Sequence, residues 1–375
     1  MENKKARIGI ITIHMVRNYG AILQAYALNS YLNSLGYDAE TIDFRRKLVA
    51  ERQRLFGKVN SFLGLARNMM TLLYLKKIIK RHKRMSDFIF ENVKLSKGTY
   101  YNNAELANAD LDYDYYICGS DQIWNTFCDN YDDAYILAFA RDKGIRISYA
   151  ASMGAPSIND DLVGRFKQEL SDFSALSVRE SSAVDVISAI SGKKVVHVVD
   201  PVFLLTKEQW QRVQSKEITI DKPYILFYAV HGELNGMRPY VRRLSEFFNL
   251  PVVVVNKNLR EIQYPNIKCY DAGPAEFVSL IHGAKYVVTN SFHGSAFSIL
   301  FNKKFQVYVT APETKGTTSR IYSLMNTLGL ADRITYMDRA PETMDNEIDW
   351  NLVNERLNTM IESSKTYLDE ALRPQ

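Results

Sequence analysis

The densest group of chemically capable side chains is Asn290-Ser291-Phe292-His293-Gly294-Ser295, an amide, two hydroxyls and an imidazole around one glycine. It follows the apolar run Tyr286 to Thr289 and precedes a segment of helical periodicity, which predicts a strand-to-helix turn. In open α/β sheets such turns form the ligand edge at the carboxyl ends of the strands. The first amides of the new helix lack intrahelical acceptors, and its dipole favours negative charge there. Asn290, Ser291, Gly294 and Ser295 therefore point to a phosphate or carboxylate site beside His293. A lone histidine is more often a structural hydrogen-bonding residue, so its place at this edge is what argues for function.

Four other turns carry candidates. Cys118 to Asn125 follows the strand-like run Tyr115 to Cys118. There Asp121 can accept a hydroxyl proton, Ser120, Gln122 and Asn125 can bind hydroxyls, and the indole of Trp124 can stack on a sugar ring. A single Asp in a turn is usually only a helix cap, but the run G-S-D-Q-I-W-N is more specific than that. In the turn Thr12 to Gly20, Asn18 can cap the next helix and Gly20 permits close backbone approach, so plain capping is one reading. Arg179 offers paired donors for a carboxylate or phosphate; the alternative is an ion pair near Glu180. Lys315 to Arg320 supplies another helix start, from which Arg320 can reach the same anion as His293.

These turns need a scaffold, and the apolar pattern supplies one. Short runs at Ile8 to Ile13, Asp38 to Asp43, Tyr115 to Cys118, Ile145 to Ala150, Ala175 to Val178 and Val195 to Val199 alternate with helical segments, which predicts six strands in one parallel sheet. A second series at Tyr224 to Ala229, Pro251 to Val255, Ile267 to Tyr270, Tyr286 to Thr289 and Phe305 to Thr310 predicts another sheet. The expected organisation is α/β, with two Rossmann-like domains facing across a cleft: residues 1–205, a crossing segment 206–222, residues 223–345, and a C-terminal helix 346–375 crossing back to the first domain.

Composition narrows the function classes. Residues 45–97 hold fifteen Lys/Arg against three acidic residues, a surplus of +12 in a chain of formal net charge +5, so the remainder is −7. Apolar residues recur within this basic excursion at helical spacing, as in a surface helix or a helix lying on an anionic membrane. No nucleic-acid readout motif accompanies the charge, and nucleic acid is not an expected partner. The three cysteines are dispersed, so neither a zinc site nor a disulfide framework is predicted. No apolar run approaches membrane-spanning length. A cytoplasmic protein, peripheral at the inner face of the membrane through 45–97, is the expectation.

Three motifs in chain order, IGIITIHMVRNYGAILQAYAL, YDYYICGSDQIWN and NSFHGSAFSILFNKKF, resemble the polysaccharide pyruvyl transferase family across most of the chain. The resemblance implies transfer of a pyruvyl group from phosphoenolpyruvate to a sugar of a surface polysaccharide or its lipid-linked precursor, closing a ketal, in a GT-B-like architecture. It implies a cleft-lining role for Asn18, Tyr19 and Gly20, with His14 and Arg17 as weaker candidates, and reads Asp200-Pro201 as mainly structural. Under it Asp121 is the base, His293 the acid or a phosphate ligand, and Arg179, Arg320 and Ser295 hold the donor. Phosphoenolpyruvate is a co-substrate, no cofactor is expected, and a divalent-metal requirement is left open. One departure stands out: many family members carry arginine two residues before the histidine, where this chain has Ser291. The rivals are a nucleotide-sugar glycosyltransferase of GT-B-like architecture and a non-catalytic glycan- or partner-binding member.

Overall fold

Two parallel sheets with the same winding order position the candidate turns. The computed structural model describes residues 6–46, 69, 72, 75–128, 131–218, 220–230, 237–255, 267–269, 271–309, 318–335 and 339–373. The first sheet contains β1 (Arg7–Ile11), β2 (Asp38–Phe44), β3 (Leu95–Tyr100), β4 (Tyr115–Cys118) and β5 (Ile145–Ser148) in the order β3-β2-β1-β4-β5. Every neighbouring pair is parallel, for example Ile8 opposite Tyr115 and Ile10 opposite Ile117. Central strands covered on both faces need apolar residues throughout, which is why β1 and β4 read as continuous apolar runs.

The expectation of six strands in one sheet needs correction. β6 (Leu176–Val178) and β7 (Val195–His197) pair with each other, and only isolated bridges, Ile147 to Ala175 and Ala151 to Val178, connect them to β5. The chain leaves regular strand geometry at Ala150, whose φ is +52°. Ser148 and Ser177 bridge the break with their hydroxyls: Ser177 N donates to Ser148 Oγ at 2.8 Å and Ser148 Oγ donates to the Ser177 carbonyl at 3.0 Å. The strand β3 escaped the sequence reading because its run LSKGTY is polar and half-exposed, as suits a sheet edge.

The second sheet contains β8 (Ile225–Tyr228), β9 (Val252–Val254), β10 (Ile267–Cys269), β11 (Tyr286–Thr289), β12 (Lys304–Tyr308) and β13 (Ile334–Thr335), in the order β10-β9-β8-β11-β12-β13. The short edge strand β13 was not anticipated; two residues leave no periodicity to read. In both sheets the winding reverses beside the first strand, between β1 and β4 and between β8 and β11. Ligands of doubly wound folds bind in the crevice at that reversal.

Helices fill the faces and join the halves. They are α1 (Tyr19–Ser34), α2 (Leu75–Asn92), α3 (Asn103–Asn108), α4 (Asp160–Leu170), α5 (Ser182–Ser191), α6 (Lys207–Arg212), α7 (Met237–Phe248), α8 (Pro274–Gly283), α9 (Phe292–Leu300), α10 (Ser319–Leu328) and α11 (Trp350–Ala371). The start of α6 is fixed by a capping box between Thr206 and Gln209. Trp210 on α6 is fully buried between Tyr26 of the first domain and Phe297 of the second. The final helix α11 does cross back: Val199 N donates to Ser364 Oγ at 2.9 Å and Tyr367 Oη donates to the Ser148 carbonyl at 2.7 Å.

Within the basic excursion, α2 is a surface helix whose Met85, Phe88 and Ile89 are buried while Lys76, Lys77, Lys80 and Lys83 are exposed. Arg84 ties it to the second domain, Nη1 donating to the Asp271 carbonyl at 2.9 Å. Residues 47–74, apart from 69 and 72, lie outside the described residues, and so do Lys315, Gly316 and Thr317 of the Lys315 to Arg320 segment. No helix among the described residues is long and apolar enough to cross a membrane.

Candidate functional site

The two winding reversals face each other, and their loops meet on one buried carboxylate. Asp200, at the end of the β7 segment, is 1% exposed. Its Oδ2 accepts from Arg179 Nη1 at 2.5 Å and Ser120 Oγ at 3.2 Å, and lies 3.4 Å from His293 Nε2 of the other domain. Its Oδ1 caps the next turn by accepting from Val202 N at 3.1 Å. Burial alone would raise the Asp200 carboxyl, but His293 and Arg179 beside it, with the hydrogen bond from Arg179, hold it well below the usual carboxylate range. The Asp-Pro turn is therefore structural and also the hub of the cluster, a role the sequence reading did not give it.

Arg179 is the second member of the hub. Its guanidinium stacks over the Phe292 ring at 4.6 Å, and Nη2 is 3.6 Å from Asp121 Oδ1. Burial would lower its pKa, yet Asp200, Asp121 and Glu180 together raise it, so the cation is secure. The proposed alternative, an ion pair with Glu180, is not what forms. Glu180 Oε1 instead accepts from Ser152 Oγ, Met153 N and Gly154 N at 3.1, 2.8 and 3.0 Å, pinning the turn Ser152 to Gly154 that follows β5. In the Ser291 turn, which carries no arginine, a guanidinium from the first domain lies against Phe292.

His293 is 5% exposed and packs directly on the backbone of Gly20, the second residue of α1. A Cβ at Gly20 would lie 2.1 Å from His293 Nδ1 and 2.3 Å from its Cγ. Glycine is needed there because an imidazole from the other domain occupies the space. We expect Gly20→Ala to displace His293 and lower turnover at least about tenfold while leaving the far-ultraviolet circular dichroism unchanged.

The Asp121 loop is built to a tight specification. Gly119 has φ +129°, and a Cβ there would lie 1.9 Å from the Tyr149 carbonyl oxygen. The following Gly119–Ser120 peptide is cis. Ser120 N donates to Gln24 Oε1 at 3.2 Å, and its carbonyl accepts from Thr12 Oγ1 at 3.0 Å, so both groups of Ser120 are gripped from the first domain's opening elements. Gln24 was missed by the sequence reading; its signal was a polar residue, one of two with Asn29, among the apolar residues on the buried side of α1. With its amide oxygen turned to the cation, Gln122 accepts from Arg320 at 2.5 and 2.9 Å. Burial first and the charge of Arg179 second push the Arg320 guanidinium down to about 10.

Several predicted ligands have other duties. Trp124 is fully buried, donates Nε1 to the Tyr135 carbonyl at 3.1 Å and packs edge-on to Phe166, so it cannot stack on a sugar. Asn125 is also buried and accepts from Phe127 N at 3.2 Å. Tyr19 is a pin between domains, donating to the Ala272 carbonyl at 2.8 Å and stacking on Phe277 at 4.8 Å. Asn18 caps α1 through Gly20 N at 3.0 Å. Asn290 ties the ends of β8 and β11, accepting from Val230 N at 2.6 Å and donating to its carbonyl at 3.1 Å. Ser291 caps α9, and Ser295, fully buried, donates to the Ser291 carbonyl at 3.1 Å; Gly294 sits against Thr289. His14 turns away from the cluster to Asp43 at 3.1 Å.

What remains at the interface is chemically specific. Among the described residues, Arg179 Nε and Nη2 and His293 Nε2 are buried without a hydrogen bond. Buried donors of this kind are rare, and a ligand is one of the few explanations for them. Two cations, an imidazole and a nearby carboxylate, Asp121, can hold a small anion and move a proton beside it. No group of three or more His, Cys, Asp or Glu side chains among the described residues is arranged for a metal ion.

Comparison with known proteins fits this layout. No curated protein matches the sequence. S. aureus MnaA, solved with UDP, is 13% identical with a TM-score of 0.55 over 97% of each chain. A putative UDP-N-acetylglucosamine 2-epimerase from Listeria monocytogenes is 12% identical with a TM-score of 0.53 over 99% of each chain. At such identities the likeness is one of fold, and it gives the two domains a GT-B-like architecture. The family model described as polysaccharide pyruvyl transferase matches residues 18–308, from the cap of α1 to the end of β12 and so through every turn that meets at Asp200. The chain belongs to the polysaccharide pyruvyl transferase family.

Proposed function

We propose that the protein transfers the pyruvyl carbons of phosphoenolpyruvate to two hydroxyls of a sugar in a surface polysaccharide or its lipid-linked precursor. Both carboxylate and phosphate of the donor need cationic partners, and the buried, unspent donors of Arg179 and His293 are the observation that carries this reading. Arg320, held by Gln122, adds a second guanidinium beside Arg179.

The reaction balances without a redox partner. A proton goes to the methylene carbon, the sugar oxygens bond to the adjacent carbon as the C–O bond to phosphate breaks, and both hydroxyl protons are lost. The products are the ketal and hydrogen phosphate. His293, 3.4 Å from Asp200, supplies the proton to carbon. Asp121 takes the first hydroxyl proton. Arg179 and Arg320 bind the donor anion and stabilise charge on the departing phosphate.

The test offers phosphoenolpyruvate and nucleotide sugars separately and follows thermal stabilisation, then looks for ketal on surface glycan by mass spectrometry with and without the protein. Stabilisation by phosphoenolpyruvate and ketal that depends on the protein are expected. Protection by a nucleotide sugar alone would overturn the reading in favour of a glycosyltransferase. Intact glycan pyruvylation in cells carrying Asp121→Ala would remove that residue as the base.

A further inference from the structure

One stretch of surface outside the cleft combines positive charge with exposed apolar side chains. Between Glu51 and Asp87 the sequence has ten Lys/Arg and no acidic residue over thirty-five positions. In the described part of that stretch, Met69, Leu72 and Ile79 are 59%, 58% and 49% exposed, and all three are helical. Apolar side chains scattered singly over a surface need no explanation. Here three of the nine large exposed ones among the described residues fall within eleven positions.

Their spacing places them with lysines. In α2, Lys76, Ile79 and Lys83 recur at intervals of three and four, which sets them on one face of the helix. It is the face away from Met85, Phe88 and Ile89, which are buried in the core. Met69 and Leu72 continue the same interval toward the N-terminus. Lys80 and Lys83 each lie near a carboxylate, Asp271 at 3.6 Å and Asp87 at 2.5 Å. Lys76 and Lys77 are exposed and have neither an ion pair nor a hydrogen bond with any described residue.

Water solvates the ammonium groups well and the apolar side chains poorly. A surface complementary to both is the boundary of an anionic bilayer. There apolar side chains enter ~5–10 Å at the level of the headgroups, while lysine stems lie along them and the charged ends meet lipid phosphates. A uniformly anionic sheet also suits a long stretch without a carboxylate better than a folded partner, whose surface mixes both signs. The helix is anchored for such contact, since its inner face packs in the core and Arg84 Nη1 donates to the Asp271 carbonyl at 2.9 Å. We propose that the outer face of α2, with Met69 and Leu72 before it, docks the protein on an anionic lipid bilayer. The proposal stands on this surface and is independent of the reaction assigned to the cleft.

The test co-sediments the full chain with vesicles of phosphatidylcholine alone and of equal parts phosphatidylglycerol and phosphatidylcholine. Binding to the mixed vesicles should be at least about tenfold tighter and should weaken as salt is raised. Lys76→Glu combined with Lys77→Glu should lower that affinity at least about tenfold, and Ile79→Asp at least about fivefold. These side chains lie on the outside of the helix, so the far-ultraviolet circular dichroism should not change. Lys76→Gln with Lys77→Gln serves in place of the charge reversal should the latter disturb folding. Equal binding to both kinds of vesicle would overturn the proposal, and so would an affinity unmoved by the lysine pair. Loss in the lysine pair with no change in Ile79→Asp would overturn it too, because that is adsorption of a cationic surface without an inserted face. Absence of vesicle binding, with lysine-dependent capture by poly-glutamate, would assign the face to an acidic protein surface instead.

Discussion

His293→Gln should lower kcat by about 10² to 10⁴-fold, the range for loss of a positioned acid, with a much smaller change in the KM for phosphoenolpyruvate. Glutamine keeps a polar group near the position of Nε2 and makes no larger demand on the space at Gly20, so the fold should survive. The split between kcat and KM is the informative readout. A histidine that only held the donor phosphate would show its loss in KM. An unchanged kcat would remove His293 from the proton-transfer step.

Asp200→Ala should cost about 3–5 kcal/mol, because removing one partner of a buried ion pair strands the others. Here the stranded groups are Arg179, His293 and Ser120, and the cap on Val202 N goes with them. Urea denaturation at neutral pH measures the loss, and a change under about 1 kcal/mol would show that the hub is not stabilising. The pH dependence has a definite sign. A carboxyl depressed by folding contributes fully above its unfolded pKa of about 4, and that contribution fades as pH falls toward the lower folded value. The wild type should therefore lose stability steeply in acid below about pH 4, and Asp200→Asn should show a shallower acid limb.

Much of this arrangement can be read in the sequence wherever local patterning decides it. The β-branched runs of β1, β8 and β11 declare themselves because buried parallel strands have no polar face. The helix-capping pattern of Asn18 and the turn before α9 are local as well. What could not be read is which strand ends adjoin. Arg179 and Asp200 are 21 residues apart and His293 a further 93, and nothing in their spacing places them on one carboxylate. The same limit explains Trp124: an indole beside an acidic turn looks like a sugar platform until the fold closes Phe166 over it. Asn290 and Ser295 look like ligands in a one-dimensional motif, yet the pairing of strand ends directs Asn290 to the Val230 backbone and helix geometry directs the Ser295 hydroxyl to the Ser291 carbonyl.

The division of the cluster between domains has a mechanical corollary. The imidazole rides on one lobe, whereas the carboxylate it faces and the glycine it leans on belong to the other. Any hinge motion that widens the cleft must separate them, so under the proposed mechanism proton donation by His293 would be coupled to the angle between lobes. On that proposal an ajar enzyme would be a poor acid, and a donor molecule captured before its sugar would be shielded from wasteful hydrolysis until both halves seat.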